Sequence, residues 1–180
     1  MKAYWFEPAD GVLGHNDGRK PEVGKTHTVK CDPALCNAGL HGSVKATDAL
    51  QYAKSSRLWL VDITGKVQSG EDKVCGKRRK YLAVADVELI LREHARWCAL
   101  QVVHLWDVPQ IVLDYLNTGD EDLRSAARAA AWAAARAASW DASRAAAWAA
   151  SWDAAWDASW DAQNQRLESV LTKIFTGGGS

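Results

Sequence analysis

The sequence predicts an α+β protein, in which a small, mostly antiparallel sheet domain with covering helices precedes a long helical segment rich in alanine and tryptophan. Three observations predict it. The first 84 residues alternate short β-branched or aromatic runs with turns that contain glycine or proline. Residues 86–117 switch to the apolar spacing of helices. Residues 120–176 contain no glycine or proline and are dominated by alanine, the strongest helix former.

Short strand candidates follow one another in the first region. They are predicted over residues 2–6, 26–29, 40–43, 57–64, 67–69 and 74–84. Thr47 and Asp48 are expected to cap a short helix over residues 49–54. Gly65 is expected to close the strand before it, and residues 70–72 are expected to form the turn that leads into the last strand.

Helical spacing defines the rest of the chain. One helix is predicted after Asp86, and a second begins near Pro109, which suits a first helical turn. Both are expected to cover the sheet. Gly119 breaks the chain, and acidic residues 120–122 favour a new helix N-terminus. The predicted divisions are a globular head over 1–117, an Ala/Trp-rich oligomerisation segment over 118–176, and a flexible tail or linker over 177–180.

Residues 126–162 contain only five residue types and repeat with a period of four. The 37 positions hold 20 Ala, 6 Trp, 4 Ser, 4 Asp and 3 Arg. The large side chains recur every four residues, at Arg128, Trp132, Arg136, Trp140, Arg144, Trp148, Trp152, Trp156 and Trp160. Four residues turn an α-helix by about 400°, so the stripe drifts by about 40° per repeat and cannot be buried on one face of a lone helix. The repeat therefore predicts an interface with partner helices.

The charges of the repeat are segregated along the chain. Arginine occupies the first half, whereas each aspartate of the second half follows a tryptophan. This order opposes the helix macrodipole, which favours acid first and base last. Antiparallel pairing, between chains or across a bend near residue 144, would set Arg128 opposite Asp161 and Arg136 opposite Asp153. We therefore predict homo-oligomerisation through this segment, whether it forms one helix or two.

Bulk composition excludes several classes of protein. The chain has 22 basic and 22 acidic residues, so no net charge draws it to bulk nucleic acid or to a membrane surface. No run of 18 apolar residues is free of charge, and the first residues lack the apolar core of a signal peptide. A cytoplasmic protein with no cofactor is expected.

The four cysteines are Cys31, Cys36, Cys75 and Cys98, and their spacing matches no common zinc or redox signature. Reduced thiols are expected in the cytoplasm. The alternative is a metal site at Cys31, Cys36 and His41 with Cys75 as the fourth ligand.

The densest charge cluster is the run Lys77, Arg78, Arg79 and Lys80. In a strand, alternation places Lys77 and Arg79 on one face and Arg78 and Lys80 on the other. These residues and His41 are the candidate ligand-binding residues for an anion; the alternatives are a solvated edge strand and a structural histidine. No Walker loop, GxSxG elbow, HExxH motif or paired-carboxylate motif occurs, so no catalytic residue is predicted.

Several short matches carry a family resemblance. They are Val23-Gly24-Lys25-Thr26, Cys36, Gly39-Leu40-His41, Asp48-Ala49-Leu50, Tyr52, Leu58–Val61, Gly65 and Asp72-Lys73-Val74. With them, residues 22–84 resemble an uncharacterised domain family found in phage and bacterial proteins. The resemblance implies phage origin and a modular chain with low-complexity repeats behind the domain, and it implies no activity. The order strand, Gly-Leu-His, strand is also distantly similar to ADP-ribosyltransferase folds.

These observations predict a non-enzymatic, phage-type accessory protein. It would oligomerise through its repeat and bind or sequester a host factor or a small anionic, nucleotide-like ligand, as a counter-defence protein would. One alternative is an ADP-ribosyltransferase-like or nucleotide-processing enzyme that uses His41 and residues 77–80. The other is a purely structural assembly protein.

Overall fold

A computed structural model describes residues 1–14, 17–142 and 153–177, with the side chains of 135–142 and 153–159 left aside. Five strands and five α-helices are described in these ranges, which confirms the α+β class. The strands are β1 (Lys2–Phe6), β2 (Thr26–Thr28), β3 (Leu40–Gly42), β4 (Arg57–Ser69) and β5 (Val74–Asp86). The helices are α1 (Ala46–Leu50), α2 (Glu88–Val102), α3 (Gln110–Thr118), α4 (Glu121–Ala142) and α5 (Asp153–Thr176), with a 3₁₀ turn at Val103–Leu105.

The chain divides into two compact units. The first, here the sheet unit, comprises Met1–Leu89 and Asn164–Ser180; the second, the helical unit, comprises Ile90–Gln163. The head and oligomerisation segments predicted from the sequence stay predictions.

The sheet is antiparallel and centred on the long hairpin of β4 and β5. Its order is β1-β4-β5-β2, and β3 pairs with a separate stretch of β5. Two predicted strands, 57–64 and 67–69, are one strand, so the expectation that Gly65 closes the first is wrong. Gly65 instead lies at a register shift between Thr64 and Val67 with a φ of 86°, a left-handed conformation that glycine adopts at little cost.

One face of the sheet buries aromatic and aliphatic side chains. Its core cluster comprises Ala3, Trp59, Val61, Ile63, Val74 and Tyr81, with Trp5, Val67 and Val84 packed against it. Gly76 of β5 is required here, because a Cβ at this position would lie 2.6 Å from Cγ2 of Ile63. This packing fixes the register of β5 and hence the position of the basic residues that follow Gly76.

Helix α1 and the C-terminal part of α5 also belong to the sheet unit. The ring centroids of Tyr4 and Phe175 are 6.1 Å apart, and the Tyr4 hydroxyl donates to Thr172 Oγ1 at 3.4 Å. Leu167 and Leu171 are buried. The C-terminal part of α5 therefore packs its apolar side chains into the core of this unit.

Glu168 of α5 caps α1. Its carboxylate accepts from the backbone N–H groups of Ala46 and Thr47 at 3.0 and 2.8 Å, and from the Thr47 hydroxyl at 3.0 Å. The prediction that Thr47 and Asp48 cap a helix over 49–54 is wrong, because the helix begins at Ala46. The side chain of its N-cap residue, Lys45, makes no capping hydrogen bond. A carboxylate from 121 residues downstream satisfies the N–H groups instead.

The helical unit contains most of α2, together with α3 and α4. The predicted break at Gly119 is confirmed: it adopts φ 70° and donates its N–H to the Tyr115 carbonyl at 2.8 Å, ending α3. The predicted acidic start of the next helix is also confirmed, since the Asp120 carboxylate accepts from the Asp122 N–H at 3.0 Å. Within this unit, Arg92 pairs with Glu121 at 2.8 Å and so links α2 to α4.

Candidate functional site

The basic run predicted as a binding site lies in the middle of β5, with β2 on one side and β4 on the other. Its four members have different environments. Arg78 and Lys80 are exposed, Lys77 is half-buried, and Arg79 is only 2% exposed. The predicted alternation is therefore observed for these positions, but the edge-strand alternative is wrong because β5 is paired on both sides.

Lys77 takes part in a surface charge cluster. Its Nζ lies 2.8 Å from Asp32, and Lys66 contacts the other oxygen of the same carboxylate at 2.8 Å. These two ammonium groups lower the pKa of Asp32 to about 2, chiefly by hydrogen bonding. The charge of Lys77 is thus already paired.

Arg79 lies among aromatic side chains on the buried face. Its Nε and Nη2 donate to the Tyr81 hydroxyl at 3.2 and 3.0 Å, and its Nη1 donates to the His41 carbonyl at 2.6 Å. The guanidinium carbon lies 3.9 Å from the ring centroid of Trp5. His27 of β2 lies opposite Arg79 in the strand register and contacts the Tyr81 ring. We call Trp5, His27, Arg79 and Tyr81 the Arg79 cluster.

The hydrogen bonds of the cluster fix the state of His27. Arg79 occupies both lone pairs of the Tyr81 oxygen, so the tyrosine proton is directed at His27 Nδ1, 3.1 Å away. A histidine that accepts at Nδ1 carries its proton on Nε2. His27 is 3% exposed, and its Nε2 has no hydrogen-bond partner in the described chain.

The guanidinium of Arg79 also has spare donors. It has five N–H groups, of which three make the hydrogen bonds above. Among the described residues, no carboxylate lies within ion-pair distance, 4 Å, of it. Each guanidinium nitrogen thus has one acceptor, and two of the five N–H groups are left over by count. In the same cluster, His27 Nε2 has no hydrogen-bond partner among the described residues. Buried cations are normally paired, so this arrangement is complementary to an anion.

Burial shifts the titration of the cluster. Desolvation is the main cause that lowers the pKa of His27, and the positive charges of Arg19, Lys25 and Arg79 lower it further. The lowered pKa keeps the ring neutral. Desolvation also raises the pKa of Tyr81 against the opposing effect of Arg79. At neutral pH the cluster therefore holds one positive charge, on Arg79.

The segment before β2 contacts the cluster through its backbone. The Tyr81 N–H donates to the Lys25 carbonyl at 3.0 Å, and Gly24 donates back to the Tyr81 carbonyl at 2.7 Å. The nearby carboxylate of Asp17 binds Arg19 through both oxygens, at 2.5 and 2.6 Å. Arg19 lowers the pKa of Asp17 through this hydrogen bonding, so this carboxylate is committed to Arg19.

His41 enters the cluster through its main chain. Pairing of β3 with β5 sets His41 opposite Cys75 and directs its carbonyl at Arg79. The sequence prediction concerned its side chain, and a role for the ring stays a prediction.

Sequence reasoning missed His27, Trp5 and Tyr81. Each lies in a strand that the sequence predicted. The missing information was the register, which places β1, β2 and β5 residues from three distant parts of the chain together.

The repeat residues are only partly within the described structure. Arg128, Trp132 and Trp160 are exposed, the two tryptophans by 61% and 57%. The side chains of Arg136, Trp140, Arg144, Trp148, Trp152 and Trp156 lie outside the described residues, and their predicted interface role stays a prediction.

The residues of the alternative metal site, Cys31, Cys36, His41 and Cys75, do not form a metal-binding group in the described ranges. Cys31 and Cys36 are exposed and Cys75 is buried. Across residues 1–14, 17–142 and 153–177, no three His, Cys, Asp or Glu side chains are grouped so that they could hold a metal ion. Over the same ranges, no helix has the length and apolar character needed to cross a bilayer.

Comparison with known proteins gives one finding. Residues 17–93 match the model of a domain of unknown function, DUF7666. The match includes β2 to β5, and therefore His27, Arg79 and Tyr81, but leaves out Trp5 and Glu168. It agrees with the resemblance to an uncharacterised domain family over residues 22–84. No curated protein and no solved structure gives a significant match to the chain.

Proposed function

We propose that this protein is a non-enzymatic binding protein that takes a small anionic, nucleotide-like ligand at the Arg79 cluster and self-associates through its Ala/Trp-rich helices. The observation that carries the ligand proposal is the buried Arg79 guanidinium, which has no carboxylate partner among the described residues, in one cluster with the buried His27 Nε2, which has no hydrogen-bond partner there. A phosphoryl group suits them, because the planar guanidinium binds two anionic oxygens at once.

The surroundings of Arg79 favour such a ligand energetically. A buried guanidinium without a carboxylate carries a desolvation cost that an incoming anion would offset. The half-buried Trp5 ring beside it supplies an aromatic surface, as nucleotide sites often do. Because Arg79 and His27 are almost inaccessible, binding requires a local opening of the cluster.

The biological role proposed is sequestration. No motif for catalysis occurs in the sequence, and the resembled family includes phage proteins. A phage protein that binds a nucleotide-like signal or a host factor without converting it would act in counter-defence from the host cytoplasm. Assembly into oligomers would multiply the binding sites per particle.

Ligand binding is testable by calorimetry on the full chain with inorganic phosphate, pyrophosphate and ADP. We expect at least one of them to bind, and R79K to weaken binding by tenfold or more because lysine lacks the bidentate fork. R78Q and K80Q are matched controls on the exposed face and should bind as the unmodified chain does. Y81F, which keeps Arg79 but frees His27 Nδ1, should weaken binding less than R79K.

Two results would contradict the proposal. One is the absence of binding at millimolar concentrations of all three anions. The other is loss of binding in R78Q or K80Q with retention in R79K, which would move the site to the exposed face. Turnover of a labelled dinucleotide that disappears in H41A would favour the enzyme alternative instead.

A further inference from the structure

The helical unit contains an apolar groove between the end of α2, α3 and α4. Its cavity volume is about 520 Å³, within the usual range for binding sites. The side chains that matter here are Val103, Trp106, Tyr115, Leu116, Arg124 and Arg128. Trp106 and Arg128 are exposed, so the groove opens to the surface.

The two arginines of the groove differ in their partners. Arg124 Nη1 contacts Glu121 at 3.2 Å, and the same carboxylate also pairs with Arg92. Arg128 makes no ion pair among the described residues. The groove therefore combines apolar walls with one uncommitted positive charge at its edge, which suits an occupant that carries an aromatic group next to a carboxylate.

The same chain supplies such a pair. Trp160 is 57% exposed, and the exposed Asp161 follows it and makes no ion pair among the described residues. In a single chain the indole is thus left largely in water. The dipeptide Trp-Asp occurs four times in the repeat, so the combination is a feature of the segment rather than of one position.

We infer that the groove of one copy binds Trp160 and Asp161 of a second copy, with the indole against the apolar walls and the carboxylate on Arg128. This inference rests on the proposed self-association and assigns its contact. It agrees with the antiparallel alignment expected from the repeat, in which Arg128 lies opposite Asp161. Each copy carries this groove and this Trp160-Asp161 pair, so two copies can exchange them symmetrically.

Charge exchange tests the inference by sedimentation of the full chain. R128E and D161R should each weaken self-association by roughly tenfold or more, because each sets like charges together. An equimolar mixture of the two variants should associate as the unmodified chain does. In that mixture the carboxylate introduced by R128E meets the guanidinium introduced by D161R, and the unchanged Arg128 of one copy meets the unchanged Asp161 of the other. R78E, an equal change in charge on the sheet unit, is the control.

The outcomes separate the inference from the proposed self-association. A monomeric mass for the unmodified chain at micromolar concentration overturns self-association, and the inference with it. An oligomer whose mass is unaffected by R128E and D161R overturns the groove contact alone, and so leaves the groove to another occupant. Recovery in the R128E/D161R double variant but not in the mixture places the contact within one chain, and also overturns the inference.

Discussion

Arginine and tryptophan occur in both units of the protein but have opposite environments. In the sheet unit, Arg79 is buried against Trp5, next to Tyr81. In the helical unit, Arg128 and Trp132 are exposed on α4. The difference follows from the neighbours. Strands from distant parts of the chain surround Arg79 with large side chains, whereas the three residues on each side of Trp132 in the sequence are alanines, which are too small to cover an indole.

The comparison separates two uses of the same chemistry. In the proposed function, the buried arginine would bind a small anion, while the exposed tryptophans and arginines of the alanine helix would bind a second copy of the chain. The two units should therefore respond differently to mutation: changes in the sheet unit should alter folding, and changes on the helices should alter association.

Helix α5 offers the largest contrast, because it takes part in both units. L171A removes a fully buried side chain in the sheet unit and should lower the free energy of unfolding by about 2–5 kcal/mol. W160A, on the exposed part of the same helix, is the matched control and should cost less than about 0.5 kcal/mol in dilute solution. Denaturant unfolding measures both. Equal losses of unfolding free energy in L171A and W160A would contradict the difference between the two units.

Removal of the cap that Glu168 provides should have the next largest effect on the free energy of unfolding. E168A leaves the N–H groups of Ala46 and Thr47 without their acceptor and should cost about 1–3 kcal/mol. Hydrogen exchange should accelerate at both amides. Thr176, an exposed residue on α5, provides a control as T176A, and a cost for E168A no greater than for this control would argue against the long-range cap.

A pH dependence should follow from His27. Because burial lowers its folded pKa below the ordinary value of about 6.5, the neutral ring stabilises the fold above that pH. This contribution is lost as the pH falls from 6.5 through the folded pKa, at a rate of up to about 1.4 kcal/mol per pH unit.

The measurement is the free energy of unfolding between pH 7.5 and pH 5. In H27Q this free energy should fall less steeply with pH than in the unmodified chain. In H104Q, at an exposed position, it should fall as steeply as in the unmodified chain. A decline of the same steepness in H27Q would mean that other groups cause it.

The smallest effect is expected for an exposed tryptophan of α4. W132A should change the free energy of unfolding of dilute protein by less than about 0.5 kcal/mol, since its indole is 61% exposed. Circular dichroism during unfolding would check this. A loss above about 2 kcal/mol would indicate that Trp132 is part of a core within one chain.

Much of the fold could be predicted from local patterns. Short β-branched or aromatic runs between turns located β1, β2 and β3, and Gly119 with the acids after it located the boundary between α3 and α4. The joining of residues 57–69 into one strand could not be predicted, because the bulge at Gly65 depends on pairing with β5. The cap from Glu168 could not be predicted either, since it comes from a segment 121 residues away in the sequence.

The candidate site was predicted in part. The predicted run at 77–80 includes Arg79, but nothing in the sequence distinguishes the four charges of the run from one another. Only tertiary packing distinguishes Arg79, which is buried, from Lys77, which Asp32 neutralises. His27 became recognisable only when the sheet register placed it opposite Arg79.

Native mass spectrometry of the purified full chain tests most directly the claim that the two units bind different partners, because it measures oligomer mass and bound ligand together. The account predicts a multiple of the 19.7 kDa chain mass, with up to one small anion per chain that R79K no longer retains. A species of 19.7 kDa without added mass, after incubation with pyrophosphate and ADP, would contradict both halves of the account.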